Sequence, residues 1–269
     1  MNATLPSLLA DLAAETAVVD DLLSTLTSEQ WDHGTPAAGW SVRDQVSHLA
    51  FFDDAAVLAA TDPETFRRDA DALLALGPQF PDVVAERFRT MPIAELAIWF
   101  RTARVELMGV LGALDGRARV PWFGPEMSVM SSATARLMET WAHGQDLFDT
   151  FGVSRPPTER LRHIAHLGVR TFGFSFTLNG RDVPAVPVRV ELAAPDGATW
   201  TWGEGSAPDV VRGSASDFCL VVTQRRHPRD TDLVVSGSVA AEWMSIAQAF
   251  AGAPGSGREP TRHYLKETS

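Results

Sequence analysis

The chain has 269 residues, with 34 acidic and 23 basic side chains that give a formal charge of −11. This length predicts one large domain or two modest ones, each able to bury a core. The 45% apolar content argues against collagen-like and disordered classes. The single cysteine, Cys219, excludes an internal disulfide and fits a reducing cytoplasm.

The charge pattern also bears on partners. Residues 1–30 mix acids into the apolar positions, unlike a signal peptide, and no long apolar run suggests a membrane span. Basic residues do not cluster beyond the pairs at 67–68 and 225–226, which argues against a phosphate backbone as partner. We therefore expect a soluble, cytoplasmic protein that binds neither nucleic acid nor membrane.

Apolar spacing predicts four long helices in the first half of the chain. The first covers residues 5–26, where leucines recur at helical intervals. The second begins at Ser41, in a sequence that predicts a capping box, and Pro92 suits the first turn of the third. The fourth runs over residues 132–151 and ends at Gly152, a left-handed cap. Four such helices form a bundle, with shorter helices expected between the second and third.

The second half of the chain changes to strand periodicity. After a helix at 159–172, apolar residues alternate at 186–192 and a turn leads into a second strand. The predicted fold class is α+β multidomain, a four-helix bundle followed by a small α+β C-terminal domain. The predicted domains are residues 1–155 for the bundle, 156–182 for a connecting helix and linker, 183–252 for the α+β domain and 253–269 for a loosely ordered tail.

Three helical side chains are of types that bind divalent metals: His48, Glu139 and His143. Glu139 and His143 leave one face of the fourth helix because they are four residues apart. The second helix could bring His48 opposite them, and three protein ligands with an open position are typical of catalytic zinc. Asp146 falls on the same face and could hold the imidazole or act as a base.

Spacing alone leaves ordinary interpretations open. Glu139, His143 and Asp146 lie nearly opposite an apolar stripe of the same helix, as expected of a solvated face. His48 is flanked by apolar residues and is expected to be buried. An ordinary hydrogen bond could satisfy it as well as a metal could.

Two motifs favour the metal. Residues 39–50, Gly-Trp-Ser-Val-Arg-Asp-Gln-Val-Ser-His-Leu-Ala, resemble the signature Gly-Trp-Ser/Thr-Val-Arg-Asp-x-x-x-His-Leu of the mycothiol-dependent maleylpyruvate isomerase N-terminal domain. Residues 138–147, Met-Glu-Thr-Trp-Ala-His-Gly-Gln-Asp-Leu, resemble its second signature, Glu-x-x-x-His-x-x-Asp-Leu. The resemblance implies a DinB-like four-helix bundle with His48, Glu139 and His143 as metal ligands.

The resemblance is looser in the C-terminal half. The family supplies an arginine needed for activity from the end of a helix in its α/β domain. Residues 218–226 resemble that helix and its Gly-Arg end, with Gln224 in place of the glycine. Arg225 is the better match to this arginine and Arg226 is the spare. The similarity covers nearly the whole chain and most resembles an actinobacterial branch known only as metal-binding.

The resemblance implies a mycothiol-dependent metalloenzyme, an isomerase or thiol transferase acting on a small anionic substrate. A metal-bound thiolate would be the nucleophile, Arg225 would hold a substrate carboxylate, and Asp146 would orient His143. The implied cofactors are a divalent metal, Zn²⁺ first, and mycothiol, in a monomer or homodimer. The alternatives are a thiol-independent metalloenzyme and a non-catalytic metal-binding protein.

Other conspicuous side chains are assigned to structure. Cys219 lies in an apolar helical run and is interpreted as a core thiol, not as the nucleophile. Trp122 and Phe123 precede the fourth helix and are predicted to line the cleft. Four tryptophans at helical or capping positions are assigned to the core: Trp31, Trp40, Trp99 and Trp141.

Overall fold

The computed structural model describes residues 4–255 and 257–261. The chain divides into two compact units, residues 1–155 and 156–269. The predicted fold class, a helical bundle followed by a small α+β domain, is confirmed. The domain boundaries stay a prediction, and positions 256 and 262–269 of the predicted tail lie outside the described residues. Within the described part of the chain, every helix is too short or too polar to span a bilayer.

The first unit is a bundle of four long helices with shorter elements between them. Its elements are α1 (Leu5–Ser24), α2 (Val42–Thr61), α3 (Pro63–Leu74), α4 (Phe80–Arg87), α5 (Ile93–Gly112), β1 (Arg119–Val120), β2 (Met127–Ser128) and α6 (Val129–Phe151). Helix α2 packs against α5 and α6, and α1 packs against α6. Apolar side chains of these four helices share one core: Val19, Val46, Leu49, Leu96, Phe100 and Leu147.

Local sequence signals set the ends of the helices that matter for the site. The Ser41 hydroxyl accepts the backbone N–H of Asp44 at 3.3 Å, and the Asp44 carboxylate accepts the backbone N–H of Ser41 at 2.8 Å. This is the predicted capping box of α2. Gly152 ends α6 with φ of 61°, a left-handed conformation that glycine adopts without steric cost.

The predicted start of α6 at Ser132 is wrong by three residues. The hydroxyl of Ser128 accepts the backbone N–H of Ser131 at 3.0 Å, so the helix begins at Val129. Ser128 also closes the hairpin of β1 and β2, whose register pairs Arg119 with Ser128. Strands of two residues are too short to show the alternation that predicts a strand.

Helices α1 and α6 approach each other closely at Gly144. A Cβ atom on this residue would lie 2.8 Å from Cγ2 of Val19 and 3.1 Å from Nη2 of Arg155. Only a residue without a side chain fits at that separation. Gly144 directly follows the candidate ligand His143 in α6.

A buried ion cluster ties the four long helices together. Arg104 of α5 donates from Nε to Asp53 of α2 at 2.6 Å, and from Nη1 to Thr16 of α1 at 2.6 Å and Thr140 of α6 at 2.9 Å. Arg136 of α6 donates to the same carboxylate at 2.9 Å. We call these five residues the Arg104 cluster. Both arginines and the aspartate are buried, so their stability depends on complete pairing.

The second unit is a four-stranded sheet with four helices. Its elements are α7 (Leu161–Arg170), α8 (Phe172–Leu178), β3 (Val188–Ala193), β4 (Thr199–Trp202), β5 (Asp209–Ser214), α9 (Ala215–Val222), β6 (Val234–Ser236) and α10 (Ser238–Ile246). The strand order is β4-β3-β5-β6, with β3 parallel to β5 and the other pairs antiparallel. Val190 pairs with Val211 at the centre of the sheet, where both are buried.

Candidate metal site

The three predicted ligands come from two helices of the first unit. His48 lies in the second turn of α2, and Glu139 and His143 lie one turn apart on α6. Helices α2 and α6 pack against each other, which brings the three side chains together. The start of α2 is fixed from outside by Arg89, whose Nε donates to Asp44 at 2.9 Å.

The donor atoms are close enough to share one ion. Nε2 of His143 lies 3.1 Å from Oε2 of Glu139, and Nε2 of His48 lies 3.8 Å from the same oxygen. One ligand atom from each residue lies within 4.8 Å of the other two. Tetrahedral zinc with bonds of about 2.0–2.2 Å holds its ligand atoms roughly 3.3–3.6 Å apart. The cluster therefore needs only small side-chain movements to surround an ion.

The protonation state of His143 follows from its neighbours. The amide of Gln45 contacts Nδ1 of His143 through its oxygen, and its nitrogen donates to the hydroxyl of Thr35 at 2.9 Å. That hydroxyl uses its own proton to donate to the carbonyl of Trp40 at 2.9 Å, so it must accept from the amide of Gln45. An amide oxygen only accepts, and Nδ1 of His143 must therefore carry a proton.

With Nδ1 protonated, the role of Nε2 depends on the charge of the imidazole. In the neutral imidazole, Nε2 of His143 holds a lone pair, and it lies 3.1 Å from the carboxylate oxygen of Glu139. Two acceptors at that distance repel each other unless a proton or a metal cation lies between them. A metal that binds both atoms satisfies both, and it leaves the Gln45 contact unchanged.

The electrostatics of the cluster favour a neutral His48 beside an ionised Glu139. Burial, together with the charge that His143 carries when protonated, lowers the pKa of His48 to about 3, although Glu139 opposes the shift. Burial alone would raise the pKa of Glu139, but the imidazoles of His143 and His48 hold it well below its usual value. Neutral imidazole and ionised carboxylate are the forms that bind metals.

The structure bears on the interpretations that spacing left open. His143 is 7% exposed and Asp146 is fully buried, so the solvated-face interpretation of α6 is wrong for these two residues. Nδ1 of His48 is buried and has no hydrogen-bond partner among the described residues. An ordinary hydrogen bond at Nδ1 therefore does not explain why His48 is buried, and the donor set fits a divalent metal.

Aromatic rings form one wall of the site. The indole of Trp40 stacks on His143 with ring centroids 5.9 Å apart and lies 5.2 Å from His48. Its assignment to the core is wrong, because its N–H donates to Asp82 at 2.6 Å and the side chain is only partly buried. Phe52 contacts His48 from the other side at 4.6 Å.

Trp122 and Phe123 lie one layer behind this wall. Phe123 packs on Phe52 with centroids 5.4 Å apart, and Trp122 stacks on Phe66 at 5.9 Å. They therefore reach the site through Phe52. Their predicted position at the cleft is correct only in this indirect sense.

The predicted catalytic residues are placed as follows. Asp146 lies on α6, three residues after His143, and its role in orienting that imidazole stays a prediction. Gln45 was not predicted, although it contacts Nδ1 of His143. Arg225 lies in the second unit, directly after a left-handed Gln224 with φ of 58°, and its Nη1 donates to the carbonyl of Thr223 at 2.8 Å. Its role and that of Arg226 stay predictions.

Cys219 is a core residue, as predicted. It is fully buried, and its thiol donates to the carbonyl of Leu161 at 3.5 Å. Burial raises the pKa of this thiol, so it stays protonated and unreactive.

Known proteins resemble the chain in both sequence and fold. Residues 12–148 match the family model of the mycothiol maleylpyruvate isomerase N-terminal domain, a range that includes all three candidate ligands. Residues 184–236 match a second model, described as wyosine base formation. Uncharacterized proteins from two strains of Mycobacterium tuberculosis are 46% identical over 249 residues, which cover 93% of this chain and 97% of theirs.

Two solved structures share the fold. The crystal structure of the mycothiol-dependent maleylpyruvate isomerase matches with a TM-score of 0.57 at 15% identity. A mutant of that isomerase matches with a TM-score of 0.59 at 17% identity. Each match covers 83% of this chain and 90% of the other. At this identity, the likeness concerns the fold.

Proposed function

The chain belongs to the family of the mycothiol maleylpyruvate isomerase N-terminal domain, and from this premise we propose that it is a metal-dependent enzyme that uses mycothiol. The proposed reaction is an isomerisation or a thiol transfer on a small anionic substrate. The observation that carries the proposal is the gathering of three metal-binding side chains: one ligand atom each from His48, Glu139 and His143 lies within 4.8 Å of the other two.

His48, Glu139 and His143 would hold the metal, for which we propose Zn²⁺. A bound divalent cation lowers the pKa of a coordinated thiol and so supplies a thiolate nucleophile at neutral pH. Gln45 keeps the proton of His143 on Nδ1 and so directs the lone pair of Nε2 towards Glu139. The ring of Trp40 shields the two imidazoles on one side.

Two further roles belong to the proposal. Arg225 would bind a carboxylate of the substrate, because a guanidinium matches a carboxylate with two parallel hydrogen bonds. Asp146, buried on the same helix as His143, would orient the imidazole of His143 or act as a base. A low-molecular-weight thiol requires a reducing compartment, so we place the protein in the cytoplasm, as a monomer or homodimer.

Metal analysis tests the first half of the proposal. The purified wild type should contain close to one equivalent of a divalent metal, whereas His143→Ala and Glu139→Gln should contain little. Thr16→Val, which alters a partly buried residue of α1 that bonds Arg104 and none of the candidate ligands, is the control for misfolding. A wild type that neither contains nor takes up a divalent metal would overturn the proposal.

Cobalt substitution tests the second half. Addition of mycothiol to the cobalt-loaded protein should produce a thiolate-to-cobalt charge-transfer band, and Glu139→Gln should not produce it. A cobalt spectrum that does not respond to mycothiol would contradict the thiol cofactor. Such a result would favour a thiol-independent metalloenzyme or a non-catalytic metal protein.

A further inference from the structure

A second cavity of the first unit has no part in the proposed metal site. Its volume is about 340 Å³ and none of the three candidate ligands lines it. We call it the Asp54 pocket. Its walls combine aromatic rings with two carboxylates, and no lysine or arginine lines it. The lining side chains used below are Phe51, Asp54, Leu58, Asp69, Phe88 and Trp99.

Aromatic rings line one side of the pocket in a continuous group. Phe88 and Trp99 are in contact, with ring centroids 4.6 Å apart, and Phe51 lies 6.3 Å from Phe88. The face of an aromatic ring carries negative electrostatic potential and attracts cations, most strongly in tryptophan. Several rings around one cavity therefore favour a positively charged ligand over a negatively charged one.

Asp54 supplies a full negative charge at the same place. Trp99 donates from its indole nitrogen to Oδ2 of Asp54 at 2.7 Å, which fixes the carboxylate against the ring wall. Among the described residues, no cationic side chain forms an ion pair with Asp54. Asp69, in contrast, pairs with Arg68 at 3.0 Å.

The surroundings of Asp54 leave its charge poorly compensated. Burial raises its pKa, the hydrogen bond from Trp99 opposes this shift, and the negative charges of Asp53 and Glu106 add to it. A cation beside Asp54 would favour its ionised form, and solvent screens part of this attraction because Asp54 is an exposed residue. An anion would disfavour that form.

We propose that the Asp54 pocket binds a small organic cation, an ammonium group carried on an apolar body. The ammonium group lies against Asp54 and the rings of Phe88 and Trp99, where charge pairing and cation–π attraction act together. The apolar body packs against Leu58 and neighbouring aliphatic side chains. The volume is at the lower end of the roughly 300–1,000 Å³ typical of small-molecule sites.

Three probes of nearly equal size test the charge requirement. They are phenethylammonium, phenethyl alcohol and hydrocinnamate, titrated by calorimetry into the full-length wild type. We expect the cation to bind at least about tenfold more tightly than the alcohol and the anion not to bind. Equal binding of the cation and the alcohol would overturn the proposal, and so would no binding of the cation.

Two variants locate the binding. Asp54→Asn keeps an acceptor for Trp99 and removes the charge, so it should abolish the preference for the cation over the alcohol. Asp20→Asn alters a partly exposed aspartate that pairs with Arg101, lies outside the pocket and should leave binding unchanged. Circular dichroism and thermal unfolding establish that both variants are folded. An unchanged preference in Asp54→Asn would overturn the proposal.

A second copy of the chain could occupy the pocket instead of a small cation, and measurements of self-association distinguish the two. If a second copy of the chain covers the rings, sedimentation should detect a dimer that Phe88→Ser dissociates. That result would overturn the proposal. If the wild type and Phe88→Ser have the same mass in solution, and the pocket prefers the cation as described above, the proposal is supported. Neither experiment depends on the metal, so the outcome is independent of the proposed function.

Discussion

The first unit buries two polar clusters that are built in opposite ways. In the Arg104 cluster, two guanidinium groups face one carboxylate and two hydroxyls, so donors meet acceptors. In the candidate metal site, Nε2 of His143 lies 3.1 Å from the carboxylate of Glu139, and the two atoms are complementary only when a proton or a metal cation lies between them. The first cluster is complete as the chain folds, whereas the second becomes complete when a cation enters. Burial of polar groups therefore indicates a binding site only when the pairing is incomplete.

The largest effect on stability is expected from a substitution that breaks the Arg104 cluster. Asp53→Ala leaves Arg104 and Arg136 buried without their carboxylate, and we expect a loss of about 3–5 kcal/mol in the free energy of unfolding. Denaturant unfolding measures it. Asp20→Ala, in an exposed pair with Arg101, is the control and should cost about 0–1 kcal/mol. Equal losses would mean that the Arg104 cluster does not stabilise the bundle.

The second largest effect is expected when the metal is removed, because only one of the two clusters should depend on a metal for its stability. A metal present at about 100 times its dissociation constant stabilises the folded state by about 2.7 kcal/mol, so a chelator should lower the melting temperature of the loaded wild type. Glu139→Gln should be insensitive to the chelator. If the wild-type melting temperature does not change with metal or chelator, the cluster of His48, Glu139 and His143 is complete without a metal, as the Arg104 cluster is.

Gln45 tests whether the incomplete cluster is preorganised. Gln45→Leu removes the acceptor at Nδ1 of His143, and we expect metal affinity to fall by about 10–100-fold. Gln45→Glu restores an acceptor and should recover most of the affinity. Competition with a chromophoric chelator measures both. If all three proteins bind equally tightly, the contact with His143 does not position the ligand.

The smallest expected effect concerns a single hydroxyl of the complete cluster. Thr16→Val removes one acceptor of Arg104 and should cost about 0.5–1.5 kcal/mol of stability. Metal affinity should not change, because α1 carries no ligand. Denaturant unfolding and chelator competition on the same preparation measure the two quantities. A parallel loss of metal affinity would couple the two clusters through Arg104.

The sequence was sufficient for the parts that depend on local signals. Helix ends were predicted where a side chain or a glycine caps them, as at Ser41 and Gly152. Glu139 and His143 were grouped because residues four apart share a helix face. His48 joined them as a metal-binding residue type between apolar neighbours, and the motif resemblance then favoured all three as ligands. The burial of His143, in contrast, depends on its packing against Gln45, His48 and Trp40, which helical periodicity does not specify.

The missed residues all depend on long-range packing. Gln45 lies 98 positions before His143, and a glutamine inside a helix carries no pattern that indicates its partner. Trp40 was assigned to the core by residue type alone, but its N–H is held by Asp82, 42 positions away. The Arg104 cluster joins residues from four helices, and hydrophobic periodicity does not detect buried ions.

Gly144 makes α1 a component of the site although this helix supplies no ligand. Gly144, the neighbour of His143, limits the distance between α1 and α6. A single added methyl group would collide with Val19 and push the two helices apart. Such a shift would rotate the imidazole of His143 away from that of His48 on the facing helix. The relative orientation of His48 and His143 thus depends on the absence of a Cβ atom at position 144, where α6 packs against α1.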